Sequence, residues 1–188
     1  MVLVRHGPVA PRWRGRLYGA TDVEPVPLSA DSVWSGTPPD AVVTSDLYRA
    51  VHAAETLFPG RPSHRDSRLR ETDYGELDGE ELEVLHQRDP TLWDRWLAEP
   101  GSTRFPGGET FDEVMARTVA GVEAARLMAP DGLVVVVAHG GTIRSYVAWV
   151  LGASAHGVGR LRIGKLQAVE IRYWDGVPVI ERANFPVT

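Results

Sequence analysis

The sequence predicts a three-layer α/β/α sandwich built around a mostly parallel central sheet. Runs of β-branched and other apolar residues indicate strands, and 133–137 is apolar throughout, as expected of a strand buried on both faces. Helical patterns separate these runs, and this alternation is typical of a parallel sheet covered by helices. A length of 188 residues is enough for one sizeable core, so we expect a single domain over 1–188.

The predicted strands are 2–4, 41–43, 133–137, 166–173 and 177–181. The first three are expected to be central and parallel, because they are short, apolar and separated by helical segments. The last two are expected to form a β-hairpin, since Trp174-Asp175-Gly176 supplies a turn between them. The exposed edge of this hairpin could pair with a second copy to form a homodimer. The simpler expectation is that Arg172 and Glu181 protect the edge from such pairing.

The predicted helices are 46–58, 110–128 and one that follows Gly140-Gly141 and runs through Val150. Ser45 and Asp46 are capping candidates for the first helix. Thr110 and Glu113 have the spacing of a capping box at the start of the second. Trp93 lies at helical spacing from neighbouring apolar residues, a pattern that indicates packing rather than a substrate cage.

The composition excludes several kinds of chemistry. The net charge of −5 argues against broad, sequence-independent binding to nucleic-acid phosphates. The absence of cysteine excludes disulfides, thiolate zinc sites and a cysteine nucleophile. Lys165 is the only lysine, so the other 19 positive side chains are arginines, which suit bidentate contacts with oxyanions.

The apolar segments are also too short for a membrane protein. The runs 133–138 and 146–151 fall far below the span of about 20 residues that a transmembrane helix needs. Arg5 interrupts the apolar residues 1–4 before the core of a signal peptide could form. We therefore expect a cytoplasmic protein with no membrane partner.

Positively charged and imidazole side chains follow the three central strands. Arg5 and His6 come directly after the first, Arg49 follows the second, and His139 and Gly140 follow the third. Because ligands bind outside the carboxyl ends of strands in open α/β sheets, these groups are expected to meet at one edge. Helices that begin there add free backbone N–H groups and a partial positive charge. The sequence therefore predicts a phosphate pocket.

Four motifs together resemble the histidine phosphatase superfamily, which includes the phosphoglycerate mutases. They are Val4-Arg5-His6-Gly7, which is similar to the nucleophile motif; 44–50 with Glu55, similar to the second-arginine motif; 69–76, similar to the segment with the catalytic acid; and 137–144, similar to the second-histidine motif. The resemblance covers residues 2 to about 150 in the family's order. It implies a phosphoglycerate mutase-like fold.

The resemblance also implies roles for five catalytic residues. His6 would attack phosphorus as a neutral imidazole, which is available near pH 7 because an unperturbed histidine has a pKa of about 6.5. Arg5, Arg49 and His139 would hold the phosphoryl oxygens. Glu71 would protonate the departing alkoxide and then activate water; without its flanking motif it would be one solvated charge in an acidic run.

No cofactor and no metal are expected. The remaining histidines lack the paired spacing of metal ligands; they are His52, His64, His86 and His156.

The residues after the nucleophile motif help to distinguish the mutases of the family from its phosphatases. Mutases carry Glu, a small hydroxyl residue and then Asn, where this chain has Pro8, Val9 and Arg12, so mutase activity is disfavoured. The loop 15–23 resembles the α-ribazole phosphatase branch, although related broad-specificity phosphatases have similar loops and 24–26 interrupts the pattern.

Substrate contacts are expected from both the motifs and this loop. We expect Arg5, Arg49, His139 and Gly140 to bind the phosphate, and Arg12, Tyr18 and Gly19 to add further contacts. Arg12, Arg14 and Arg16 either contact a second anionic group of the substrate or are solvated loop charges.

The function that the sequence predicts is therefore metal-independent hydrolysis of a small-molecule phosphomonoester, with α-ribazole 5′-phosphate as a candidate substrate. The alternatives are a broad-specificity small-molecule phosphatase, a phosphoglycerate mutase, and a phosphate-binding protein without catalysis.

Overall fold

The computed structural model describes residues 1–188 and contains one six-stranded sheet. Its strands are β1 Val2–Arg5, β2 Ala41–Thr44, β3 His64–Arg65, β4 Val134–Ala138, β5 Gln167–Trp174 and β6 Val177–Pro186. They lie in the order β3-β2-β4-β1-β5-β6. The neighbouring pairs β3/β2, β2/β4 and β4/β1 are parallel, whereas β5 runs antiparallel to both β1 and β6. The mostly parallel sheet is thus confirmed.

Five α-helices accompany the sheet: α1 Tyr48–Leu57, α2 Leu82–Arg88, α3 Pro90–Ala98, α4 Phe111–Arg126 and α5 Gly140–Val150. Short 3-10 turns lie in the connecting segments, including one at Ala155–Arg160 after α5. None of the helices combines the length and the apolar composition that a bilayer-crossing segment requires.

Alternate side chains of the central strands build a core on each face of the sheet. Val136 packs in one cluster with Val122 of α4 and Tyr146 of α5. Val135 packs on the opposite face with Ala53 and the rest of the buried side of α1. Because a strand points successive side chains to opposite faces, β4 must be apolar throughout to serve both layers. This arrangement confirms the three-layer α/β/α sandwich.

The beginning of α1 differs from the prediction. The helix begins at Tyr48 after Leu47, and neither Ser45 nor Asp46 occupies the capping position. Asp46 instead accepts two hydrogen bonds of 2.7 Å from the guanidinium of Arg70. Asp22 accepts from the Tyr48 N–H at 2.8 Å, so a distant loop satisfies the helix end.

The sequence did not predict β3, α2 or α3, and it predicted a shorter β6 than the structure contains. Strand β3 has only two residues, and α2 and α3 have seven and nine, so their periodicity is weak. The predicted hairpin is present, but β6 extends to Pro186 across two register irregularities that break the alternation. Helix α3 buries Leu92 in a cluster with Leu85 of α2 and the partly buried Trp96. The Trp93 ring lies 5.2 Å from the Trp96 ring between centroids, tilted by 41°, in agreement with a packing role.

We expect Thr110→Ala to lower the free energy of unfolding by about 1 kcal/mol, because it removes the side-chain cap of α4. The predicted capping box is present: the Thr110 hydroxyl accepts from the Glu113 N–H, and the Glu113 carboxylate accepts from the Thr110 N–H. Urea denaturation at pH 7 measures the change. Thr110→Ser is the control and should retain most of the stability, whereas equal losses in both variants would contradict a capping role.

Candidate active site

The carboxyl ends of three neighbouring strands bring His6, Arg49 and His139 together. All three are almost fully buried, with exposed fractions of 2%, 0% and 0%. The His6 and His139 rings lie 5.1 Å apart between centroids. The Arg49 Nε donates to His139 Nδ1 at 3.2 Å. This contact is possible because β4 lies between β1 and β2, so that the residues following each strand meet at one edge.

His6 has a defined tautomer. Its Nδ1 lies 2.7 Å from the carbonyl oxygen of Gly7. Since a carbonyl can only accept, Nδ1 carries the proton and the Nε2 lone pair is free to act as a nucleophile or acceptor. Burial holds the pKa of His6 well below its usual value, and the charges of Lys165, Arg49 and Arg5 lower it further. His6 is therefore neutral near pH 7.

His139 has the opposite tautomer. Because its Nδ1 accepts from Arg49, its proton resides on Nε2, and this buried Nε2–H has no acceptor within the protein. Burial and then the Arg49 charge hold the pKa of His139 well below its usual value. The Nε of Arg5 is likewise buried without a partner. Two unused donors at one edge of the sheet suit an oxyanion, because unpaired buried donors are otherwise costly.

Arg5 packs against the beginning of α5. A Cβ at Gly140 would lie 3.1 Å from the Arg5 Cζ, so the glycine leaves room for the guanidinium. The Arg5 Nη1 donates to the carbonyl oxygen of Ile163. The N-terminal end of α5 thus lies beside a positive charge, which favours an anion.

Glu71 is fixed at the same helix end. Its two carboxylate oxygens accept from the Gly141 N–H at 3.0 Å and from the Thr72 N–H at 3.1 Å. A Cβ at Gly141 would lie 2.2 Å from the carboxylate, so only glycine permits this approach. Burial alone would raise the pKa of Glu71, but these hydrogen bonds and the charges of Arg144 and Arg49 hold it below its usual value. The group is a carboxylate at neutral pH.

The backbone of Glu71 is also held in place. Arg117 of α4 donates to the Glu71 carbonyl oxygen at 3.0 Å and forms an ion pair of 2.6 Å with Glu109. The position of the carboxylate therefore depends on α4 as well as on α5.

The loop after β1 supplies Tyr18 and Gly19 but not Arg12. Arg49 donates to the carbonyl oxygen of Gly19 at 2.6 Å, and its guanidinium carbon lies 5.6 Å from the Tyr18 ring centre. Arg12 forms an ion pair with Glu24 at the surface, and its side chain is 65% exposed. No contact joins Arg12 to His6, Arg49 or His139, so the structure does not bring it to the site.

The other two arginines of this loop lie outside the site as well. Arg16 pairs with Glu81 at 2.6 Å, and Arg14 is exposed. The ion pairs of Arg12 and Arg16 favour the interpretation of these side chains as surface charges.

Lys165 is a site residue that the sequence analysis missed. Its Nζ lies 3.2 Å from His6 Nε2 and 3.4 Å from the Tyr18 hydroxyl. Burial and then the charge of Arg5 lower its pKa to about 7. The one available signal was its status as the only lysine, because its position depends on the pairing of β5 with β1.

An arginine-lined cleft adjoins Glu71, with a volume of about 580 Å³. Its basic side chains are Arg5, Arg144, Arg160 and Arg162. None of these arginines has an acidic side chain within ion-pair distance, although ten other arginines of the chain do. No group of three or more histidine, aspartate or glutamate side chains is placed to hold a metal ion.

Comparison with known proteins places this site in a family context. The family model of the histidine phosphatase superfamily (branch 1) matches residues 1–186. A bifunctional protein of Mycobacterium tuberculosis is 32% identical over 148 residues, which are 77% of this chain and 40% of that protein. A metal-independent phosphoserine phosphatase of Arabidopsis thaliana is 28% identical over 92% of this chain and 76% of its own length.

Solved structures agree in fold. YhfR of Bacillus stearothermophilus superposes with a TM-score of 0.89 at 22% identity, over 98% of this chain and 96% of that one. A putative α-ribazole-5′-P phosphatase of Escherichia coli gives 0.83 at 20% identity, with the same coverage. Identities this low establish the fold alone. The chain spans only about 40% of the mycobacterial relative, so that protein's activity does not transfer directly.

We expect neither His6 nor His139 to gain a proton between pH 6 and pH 8, because burial and neighbouring positive charges oppose ionisation. Long-range ¹H–¹⁵N NMR spectra should show neutral rings, with the proton on Nδ1 of His6 and on Nε2 of His139. His6→Ala and His139→Ala assign the signals. A titration of either ring near pH 6.5 would contradict the charge environment described above.

Proposed function

Because the chain belongs to the histidine phosphatase superfamily, we propose that it hydrolyses phosphomonoesters through a phosphohistidine formed on His6. One observation carries the proposal. The Nε2 of His6 is unprotonated, and it lies beside buried donors that have no protein acceptor, on His139 and Arg5. A nucleophile next to unused oxyanion donors is the arrangement that phosphoryl transfer requires.

In the first step, the Nε2 lone pair of His6 attacks phosphorus, and the bond from phosphorus to the leaving-group oxygen breaks. Arg5, Arg49 and the Nε2–H of His139 would stabilise the charge on the remaining phosphoryl oxygens. Electrostatic stabilisation and positioning supply most of the acceleration in such transfers. The neutral state of both histidines is consistent with these roles, since one must offer a lone pair and the other a proton.

Glu71 would manage the proton in both steps. It is a carboxylate in the ligand-free site, and a bound phosphate dianion would raise its pKa by like-charge repulsion. The protonated acid then gives its proton to the departing alkoxide. In the second step the carboxylate takes a proton from water, whose oxygen attacks phosphorus and breaks the bond to His6. Inorganic phosphate leaves, Glu71 releases to solvent the proton that it gained from water, and both side chains return to their initial states.

The position of Glu71 supports a location for the leaving group. An alkoxide that receives its proton must lie beside Glu71, and Glu71 lines the cleft that also contains Arg144, Arg160 and Arg162. Arginines without ion-pair partners favour a leaving group with a second negative charge, such as a carboxylate or another phosphate. We therefore propose phosphomonoesters of anionic alcohols as the preferred class.

α-Ribazole 5′-phosphate is the second candidate substrate. The loop 15–23 and the likeness to the Escherichia coli structure support it. Its leaving group carries no second anion, so it would leave the arginines of the cleft without a partner.

We expect His6→Ala to lower phosphate release by at least about 10⁴-fold, because the covalent step is lost. Turnover is measured in excess EDTA on α-ribazole 5′-phosphate, phosphoserine, 3-phosphoglycerate and nucleotides. His64→Ala replaces an exposed histidine outside the site and should leave turnover unchanged. Full activity in His6→Ala would refute the phosphohistidine.

Other outcomes of the same assay identify the alternatives. Interconversion of phosphoglycerates without phosphate release would indicate a mutase. Equal rates on all substrates would indicate broad specificity. Tight phosphate binding without turnover on any substrate would indicate a binding protein.

We expect the double variant Arg160→Ala/Arg162→Ala to raise KM for an anionic substrate such as phosphoserine by about 10- to 100-fold, because charged hydrogen bonds are lost. Its KM for p-nitrophenyl phosphate, whose leaving group has no second anion, should stay within a factor of about two. Arg14→Ala is the control, since Arg14 is exposed and outside the cleft. Equal effects on both substrates would argue against an anion subsite.

A further inference from the structure

We infer that Lys165 is a further catalytic residue, whose ammonium group binds the phosphoryl group as it transfers to His6. The inference rests on the proposed function, and it goes beyond the motifs of the sequence, none of which contains this residue. Its basis is the placement of the Lys165 Nζ at 3.2 Å from the attacking atom, His6 Nε2.

The distance of 3.2 Å between Lys165 Nζ and His6 Nε2 brings the lysine close to any phosphate that His6 attacks. A nucleophile must lie about 3–3.5 Å from the phosphorus that it attacks. A phosphoryl group held in line with His6 Nε2 therefore takes the position of the Lys165 Nζ, and the ammonium group shifts onto a neighbouring phosphoryl oxygen. The lysine would complete a ring of donors with Arg5, Arg49 and His139.

Before a phosphate binds, Lys165 also blocks the attacking atom of His6, because its Nζ contacts Nε2. Because Nδ1 of His6 carries the proton, the contact at Nε2 is a hydrogen bond that Lys165 donates. A phosphate dianion is a stronger acceptor than a neutral imidazole, so an arriving substrate draws the ammonium away. The lone pair of His6 then becomes free as phosphate binds. Lys165 would thus couple release of the nucleophile to occupancy of the site.

The surroundings of Lys165 give it no other partner. Its side chain forms no ion pair, and its polar contacts are with His6 and the Tyr18 hydroxyl. Its ammonium also lies 5.6 Å from the Tyr18 ring centre. A partly buried positive charge without an ion-pair partner is unfavourable, so the arrangement suits an anionic ligand that binds later.

The backbone fixes Lys165 from both sides. The Leu166 N–H donates to the carbonyl oxygen of Arg5 at 3.1 Å, and the Gly164 N–H donates to the side chain of Asn184 at 2.8 Å. Leu166 has a φ of 53°, in the left-handed region that a leucine rarely adopts. Strain of this kind persists where the surrounding structure holds a functional group in position.

The charges around Lys165 set its pH dependence. Arg5 at the end of β1 and Arg49 of α1 lower its pKa, and Glu71 opposes them. The neighbouring imidazoles of His6 and His139 are neutral. With a pKa of about 7 in the free protein, the amine is charged below pH 7 and loses its proton above it. A phosphate dianion raises that pKa again, so kcat/KM should decline above pH 7 more than kcat does.

The test compares wild type with Lys165→Met and Lys165→Arg on p-nitrophenyl phosphate in EDTA, from pH 5.5 to pH 9. We expect Lys165→Met to lower kcat/KM by about 100-fold at pH 6.5, as the loss of one oxyanion donor does in other enzymes. Lys165→Arg should recover part of this loss and lack the decline in kcat/KM that Lys165 causes near pH 7, because a guanidinium stays protonated, whereas any pH dependence from Glu71 is common to both proteins. Unchanged kcat/KM in Lys165→Met, or the same decline in Lys165→Arg, would overturn the inference.

Two further readouts separate this inference from the proposed function. The affinity for inorganic phosphate, measured by calorimetry, should fall at least about tenfold in Lys165→Met whether or not the protein turns over a substrate. If wild type showed no turnover but Lys165→Met still bound phosphate more weakly, the proposed hydrolase activity would be refuted. The contact between Lys165 and phosphate would still be supported. Equal phosphate affinity in both proteins would overturn the role of Lys165.

Stability distinguishes an anion-binding lysine from a structural one. Burial makes the charged lysine unfavourable, so Lys165→Met should unfold at higher urea than wild type at pH 6. The unfolded chain holds this proton up to a pKa of about 10.5, so the difference between the proteins should shrink as pH rises above 7. A Lys165→Met protein less stable than wild type at pH 6 would indicate a structural role and contradict the inference.

Discussion

The burial or partial burial of a cluster of positive charges is the constraint on which the rest of the structure depends. Arg5, Arg49 and Lys165 are gathered at one edge of the sheet, and burial is the first cause of the lowered pKa of each. Glu71 partly offsets all three charges, and Asp22 and Asp78 also offset that of Arg49. Backbone carbonyls satisfy part of the guanidinium donors, including that of Gly19. The remaining excess of positive charge is stabilised only when an anion enters, so the site is preorganised for an anionic ligand.

A rigid scaffold is needed to hold like charges so close together. Strand β4 is fully buried, and it fixes the spacing between the strand ends that precede His6 and Arg49. Close approach then depends on Gly19, because a Cβ there would lie 1.7 Å from the carbonyl oxygen of Thr72. Together with the glycines at the start of α5, this position allows the loop, the acid and the helix to converge without side chains between them. Close packing at these glycines thus brings the charged groups of the site near one another.

What the sequence could predict follows from how local each signal is. His6 and His139 directly follow apolar strands, and parallel strands present their carboxyl ends at one edge, so their meeting could be predicted. The cap of α1 could not, because Asp22 reaches it from a loop 26 residues away. Lys165 reaches His6 only through the antiparallel pairing of β5 with β1, which no local pattern encodes. Arg12 illustrates the converse: it lies close to the nucleophile motif in sequence, but Glu24 holds it at the surface.

Before an anion binds, the histidines and the carboxylate of the site are in their deprotonated form. Binding of an anion is therefore coupled to the uptake of protons. His6 and His139 are neutral, Glu71 is ionised, and Lys165 is balanced between its two forms near pH 7. A phosphate dianion favours the charged lysine and the protonated carboxyl group, so binding is coupled to proton uptake. Linkage is reciprocal, and each proton that the anion draws in also strengthens the binding of the anion. In the proposed reaction the substrate therefore supplies the charge that prepares both the acid and the phosphoryl-binding ring.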